Sequence, residues 1–156
     1  FGIHWFDAAR SFFGDREAIS VTATTADFPA QPIEPPLLAS AVITFATGMA
    51  TLAFNGCSRH GARETCTIVG TEGTLHAVGD ICGIQRVEIE NANGSAVAEL
   101  DGSWFPDGFR GCMGELMCAI EDGREPEHHA EDNLKSLELV FAAMQSADEN
   151  RVAMLS

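Results

Sequence analysis

The stretch Glu64-Thr65-Cys66-Thr67-Ile68-Val69-Gly70-Thr71-Glu72-Gly73-Thr74-Leu75-His76-Ala77-Val78 decides the class of fold. Two runs rich in Thr, Val and Ile flank a tetrad bounded by glycines, which reads as two strands joined by a tight turn. Upstream, Ala39 to Thr47 and Met49 to Asn55 flank Gly48 as a second hairpin, and Ala18 to Thr25 reads as a strand. Between them, Pro29, Pro32, Pro35 and Pro36 make Phe28 to Pro36 an irregular extended connection. Downstream, Arg86-Val87-Glu88-Ile89-Glu90 alternates with period two, so one face is wet and one dry. Asn93-Gly94 tolerates positive φ at both positions and marks a further hairpin, whose strand Leu100 closes.

Helical patterns bracket these strands. Ile3, Phe6 and Phe13, flanked by Ala9 and Phe12, give Phe1 to Phe13 a broad apolar side, and Gly14 stops the helix. The period returns to 3.6 at Phe109, Cys112, Met113, Leu116, Met117 and Ile120, ending at Asp122-Gly123. After an Arg124-Glu125-Pro126 loop, Leu134, Leu137, Val140, Phe141, Met144 and Ala147 mark a second long helix. Glu131 and Asp132 sit where its positive end favours them, and Leu139 falls off the stripe, which implies a second contact. The expected fold is α+β: a large, mainly antiparallel sheet with helices packed on one face and the other face open for oligomerisation. Val42, Thr44, Ala46 and Ala53 would supply that open face, opposite Ile43, Phe45, Leu52 and Phe54. The ordinary alternative is a solvated Thr/Ala surface.

The chain has 156 residues with 46% hydrophobic content, enough for one domain. Nine Lys and Arg against 23 Asp and Glu give a net charge of −14, which disfavours nucleic acid and anionic membrane faces. Five cysteines, Cys57, Cys66, Cys82, Cys112 and Cys118, form no CxxC pair. Their odd count and apolar neighbours predict buried, reduced thiols and a cytoplasmic setting. The sequence begins inside a helical pattern without Met, and the expectation is a fragment of a longer chain.

Gly2-Ile3-His4-Trp5-Phe6-Asp7, followed by Gly14, resembles the G-x-H-x-x-D helix that opens the C-terminal domain of the Gfo/Idh/MocA oxidoreductases. Ile68-Val69-Gly70-Thr71-Glu72-Gly73-Thr74-Leu75 is similar to the family's glycine-bounded hairpin. Ile120-Glu121-Asp122-Gly123-Arg124-Glu125-Pro126, then Asp132-Asn133-Leu134-Lys135-Ser136-Leu137 and Ser146-Ala147, resemble its close. The resemblance spans almost the whole chain in the family's order. It implies that residues 1–156 are one C-terminal substrate-binding and oligomerisation domain, whose parent carries an N-terminal Rossmann domain for NAD or NADP. An Asp that the family often places four residues before its catalytic His would fall one residue ahead of Phe1. The chain itself shows no G-x-G-x-x-G after a strand, and Gly108, Gly111 and Gly114 open a helix without one, so no cofactor is expected on these residues.

By the resemblance, His4 helps move the proton of a substrate hydroxyl while the carbon gives hydride to nicotinamide. That role needs a group titrating near neutrality within reach of the hydroxyl. A helix start disfavours the imidazolium, and Asp7 one turn on favours it. The substrates implied are sugars, cyclitols or related polyols, and the partners are the parent's own Rossmann domain and further copies in a dimer or tetramer. A non-catalytic α+β binding or dimerisation module is the competing reading. Asp7 is a candidate to orient substrate or His4, against an ordinary first-turn carboxylate. Arg59, His60 and Arg63, the one local basic cluster, are candidates for an acidic sugar or a phosphate, against ion pairing with nearby carboxylates.

Glu127, His128, His129, Glu131 and Asp132 lack an H-x-x-x-H spacing and read as a solvated acidic loop, so no metal is expected. Trp104, Phe105, Pro106 and Phe109 are candidates to wall a pocket or plug the sheet edge, with core packing the default reading. Nothing supports nucleophilic catalysis: there is no G-x-S-x-G and no cysteine beside a histidine.

Overall fold

The structure is a computed structural model that describes residues 2–80 and 83–155, with only the backbone of Ile84. Phe1, where the sequence places the first helix start, and Cys82 lie outside the described residues. Two compact units emerge: Phe1–Cys57 with His128–Ser156, and Ser58–Glu127.

The first unit orders its strands β3-β2-β1-β8, all antiparallel, with β1 at Ala18–Ala26, β2 at Leu38–Phe45, β3 at Gly48–Asn55 and β8 at Ala153–Met154. Helices α1 (Gly2–Phe13) and α3 (Ala130–Glu149) cover one face, α3 lying against β1 and α1 against α3 and β3. Inward positions alternate along the strands, so Val21, Ala41, Ile43 and Phe45 are buried with Phe6, Ala9, Leu139, Ala142, Ala143 and Ala153. Phe13 stacks on Phe45 with ring centroids 3.8 Å apart. Thr22, Thr24, Ser40, Thr51 and Ala53 are exposed on the opposite face, with Val42 and Thr44 half-buried among them. Ala46 and Thr47 make the β2–β3 turn, just ahead of the position the sequence predicts, and Gly48 opens β3 at φ 120°; Gly14 at φ 60° ends α1 as predicted. The two-residue β8 pairs only with Ser20 and Val21. Farther along the same edge, the N–H of Ala23 donates to Oγ of the buried Ser146 at 2.9 Å, so a helix side chain continues the edge protection.

The long helix turns a different face inward from the one its apolar stripe predicts. Ser136, Leu139, Ala142, Ala143 and Ser146 are buried, while Leu134, Phe141 and Met144 are more than half exposed. Four of the five buried residues are small, which lets the helix backbone approach β1 closely. Leu139, the residue off the stripe, is the core residue.

The second unit is a meander ordered β4-β5-β6-β7: Glu64–Val69, Gly73–Asp80, Gly83–Asn91 and Gly94–Glu99. Where the sequence predicts one large sheet, the eight strands make two of four. Past Asn55 the Gly56 N–H donates to Leu37 O at 2.8 Å, one further rung with the chain ahead of β2, and Cys57 N–H then donates to Asn55 Oδ1 at 2.9 Å as the chain turns. Gly73 is required by a close approach: a Cβ there would stand 2.5 Å from the Glu90 carbonyl oxygen. Pairing aligns Cys66, Ala77, Val87 and Ala98 in one cross-strand row and Ile68, Leu75, Ile89 and Ala96 in the next. This apolar face has no fully buried side chain among the described residues, and Ile89 is 40% exposed.

Helix α2 (Phe109–Asp122) follows a kinked turn at Trp104–Gly108, its main neighbour, and ends at Gly123 with φ 66°. Its predicted core stripe faces out: Phe109, Met113, Leu116, Met117 and Ile120 are exposed, and Ala119 is buried. Trp104 and Phe105 are exposed too, correcting their assignment to the core; Phe105 and Phe109 tilt together with centroids 5.0 Å apart. The thiols are likewise less buried than predicted: Cys112 and Cys118 are exposed, Cys57 and Cys66 intermediate, all four unpaired. Burial pushes the Cys66 thiol up from its ordinary pKa. No described helix is long and apolar enough to cross a membrane.

Candidate functional site

Helix α1 carries the candidate histidine. Phe6 and Ala9 point into the core, with Phe13 packed against it, and His4 with Ser11 lies exposed on the other side of the helix. Asp7 follows His4 by one turn and sits at the border between buried and open faces. Its carboxylate is held from α3, because Ser136 Oγ donates to Asp7 Oδ1 at 2.5 Å. Arg10 completes the arrangement with a fork that reaches three groups. Nη1 and Nη2 donate to the two oxygens of Asp132 at 3.0 and 2.5 Å, and Nε donates to Ser136 Oγ at 3.0 Å. Nη2 also reaches Asp7 Oδ1 at 3.4 Å.

Arg10 and Asp132 side chains are 16% and 26% exposed, so this bidentate pair is shielded from water more than a surface pair. The Arg10 hydrogen bond, with its charge, holds the Asp132 carboxyl below its ordinary range against the opposing effect of burial. The same hydrogen bond raises the Arg10 guanidinium. Asp7 therefore serves first as an anchor between helices.

The sequence pattern gives Asp132 a place at the helix start and in the acidic loop, and gives Arg10 and Ser136 no part in the site. Their signal was spacing: Arg10 follows Asp7 by three residues and Ser136 follows Asp132 by four, each pair on one helix face.

Arg59, His60 and Arg63 belong to the second unit, exposed in the connection that precedes β4. None of them enters an ion pair or hydrogen bond recorded among the described residues, in contrast to the pairing alternative. Also in that unit, a depression of about 200 Å³ opens on the polar face of the second sheet. Thr65, Thr67, His76, Arg86 and Glu88 line it, and Thr67 Oγ1 lies 3.2 Å from His76 Nδ1. The Glu127–Asp132 segment forms no metal-binding group among the described residues. Asp132 is committed to Arg10, and the Asn133 side chain donates to the His129 carbonyl at 3.2 Å.

Among the described residues every strand pair is antiparallel and no glycine-rich turn leads from a strand into a helix. Gly108 caps α2 after the kinked turn, and Gly111 and Gly114 lie inside the helix.

The GFO/IDH/MocA C-terminal domain model matches residues 1–76, which include α1 and β4 and end within β5. D-apiose dehydrogenase from Paraburkholderia graminis is 28% identical over 169 residues, covering 99% of this chain and 43% of that protein. The N-terminal 76 residues are thus similar to the C-terminal domain of the Gfo/Idh/MocA family. Solved oxidoreductase structures share the fold of nearly the whole chain. An oxidoreductase from Agrobacterium radiobacter, in complex with NAD+, L-tartaric acid and magnesium, superposes with a TM-score of 0.82 at 22% identity, covering 99% of this chain and 47% of that one. An aldose-aldose oxidoreductase from Caulobacter crescentus, complexed with glycerol, gives 0.78 at 23% identity, covering 99% and 46%. The chain spans less than half the length of each of these relatives.

Proposed function

We propose that this chain is the substrate-binding and oligomerisation domain of an NAD(P)-dependent oxidoreductase acting on a sugar, cyclitol or related polyol. The observation that carries it is His4, presented to solvent from the first turn of a helix whose opposite side is packed and bonded to α3. An imidazole so placed accepts the proton of a substrate hydroxyl and returns it in the reverse direction. The nicotinamide supplies the hydride chemistry and is held by an N-terminal Rossmann domain of the whole protein. The relatives' greater length and the NAD+ in the Agrobacterium structure support that reading. The sugar class is supported by the D-apiose and aldose enzymes.

Arg59, His60 and Arg63 are the candidates to meet an anionic group on the substrate. The second sheet's Ile68, Leu75 and Ile89 face is the dimer surface, because an apolar face this ordered and this poorly buried is stabilised by a partner. The setting proposed is the cytoplasm, in keeping with the unpaired thiols.

The test is a calorimetric titration of this chain with NAD+ and NADP+, alongside nicotinamide reduction by the full-length protein across an aldose and polyol panel. No binding to the chain and sugar-dependent reduction by the whole protein are expected. Micromolar binding to the chain, or a full-length protein inert to every sugar and polyol, would overturn the proposal; inertness favours a non-catalytic assembly module.

A further inference from the structure

We infer that Asp132, Ser136 and Arg10 form a clamp that sets the roll of α1 about its axis and thereby aims His4; the inference rests on the proposed role of His4. Phe6 stacks on Phe54 and Phe13 on Phe45, which seats the buried stripe of α1 on the first sheet, and the guanidinium fork ties the adjoining side of α1 to α3. The fork joins three oxygen-bearing side chains in fixed planar geometry, two of them on α3, and Ser136 is fully buried beneath it. Asp7, one turn beyond His4, takes the Ser136 hydroxyl hydrogen and closes the link.

The lever arm gives the consequence. A helical side chain ends roughly 5–6 Å from the helix axis, so a roll of about 20° moves its tip by about 2 Å. A displacement of about 1 Å at a reacting group can lower a rate about 100-fold. Asp132, Ser136 and Arg10 are thus positioning residues: they act on the reaction through His4. Lys135 and His129 also bear on the Asp132 carboxylate, both in the direction of keeping it charged.

The experiment is a double-mutant cycle in the full-length protein with its nicotinamide and a sugar substrate. Asp132→Asn and Ser136→Ala are made in the native and in the His4→Ala background, with kcat, KM and thermal unfolding measured for each. The clamp predicts that each lowers kcat by about 10- to 100-fold with KM within about threefold, and that this loss disappears once His4 is alanine. The lowering of the unfolding temperature should persist in both backgrounds. Equal kcat losses with and without His4, or no loss in the native background, would overturn the clamp while leaving His4 its role. A His4→Ala enzyme with unchanged kcat would overturn the role itself. If Asp132→Asn does not fold, Ser136→Ala, which removes a single hydroxyl, carries the same cycle.

Discussion

Replacing Leu139 and Phe141 separately by alanine tests which side of α3 faces the core. Leu139 is 2% exposed, between α3 and the first sheet. Its truncation removes about three carbon groups at about 0.8 kcal/mol each, and the residual cavity brings the cost to about 3–4 kcal/mol. Phe141 is the larger side chain and belongs to the more regular apolar stripe, yet it is 62% exposed. Its loss should cost below about 1 kcal/mol, since most of its surface stays in water and alanine is the better helix former. Urea unfolding of the 156-residue chain, followed by far-ultraviolet circular dichroism, reads the difference. With a slope of about 2 kcal/mol per molar, the Leu139 variant's midpoint should fall by about 1.5–2 M and the Phe141 variant's by less than about 0.5 M. A Phe141 loss equal to or larger than the Leu139 loss would refute the orientation assigned to α3.

Gly73→Ala should destabilise the second sheet by about 1–3 kcal/mol, because the new methyl meets the Glu90 carbonyl 2.5 Å away; the urea midpoint measures it. The Asp132 carboxyl titrates below its ordinary value of 3.8 when folded, so its stabilising effect is present above that value and is lost as pH falls through the folded one. Asp132→Asn should therefore lower the urea midpoint at about pH 7 and flatten its decline toward about pH 3. Leu75→Lys, at the centre of the uncovered apolar face, should convert a dimer to a monomer in light scattering, whereas an unchanged mass would exclude that face as the interface.

Element boundaries were legible because they rest on local chemistry. Gly14 at φ 60° and Gly123 at φ 66° ended elements where the chain must take a backbone that other residues resist, and the hairpin expected at Asn93-Gly94 turns one residue earlier, at Ala92-Asn93, with Gly94 opening β7 at φ 124°. The facing of the helices was not legible in the same way. Hydrophobic periodicity finds the most apolar side, and on α3 that side is Leu134, Phe141 and Met144, all exposed. The packed side is built from Ser136, Ala142, Ala143 and Ser146 around Leu139, residues whose value lies in small size and in hydroxyls that bond to Arg10, Asp7 and β1. The two-residue β8 carried no period at all; it exists because Ala153 and Met154 meet an open edge of β1. At the candidate site, resemblance singled out His4 and Asp7, while the Arg10–Asp132 link joins positions 122 residues apart and becomes visible only when the two helices are packed.

The most direct test of the account is the rate of the full-length protein with His4 changed to Asn, measured with saturating nicotinamide and its preferred sugar. Loss of a proton-transferring imidazole predicts that kcat falls by about 100- to 10,000-fold while the oligomer mass is unchanged. A variant that keeps the native kcat would contradict it.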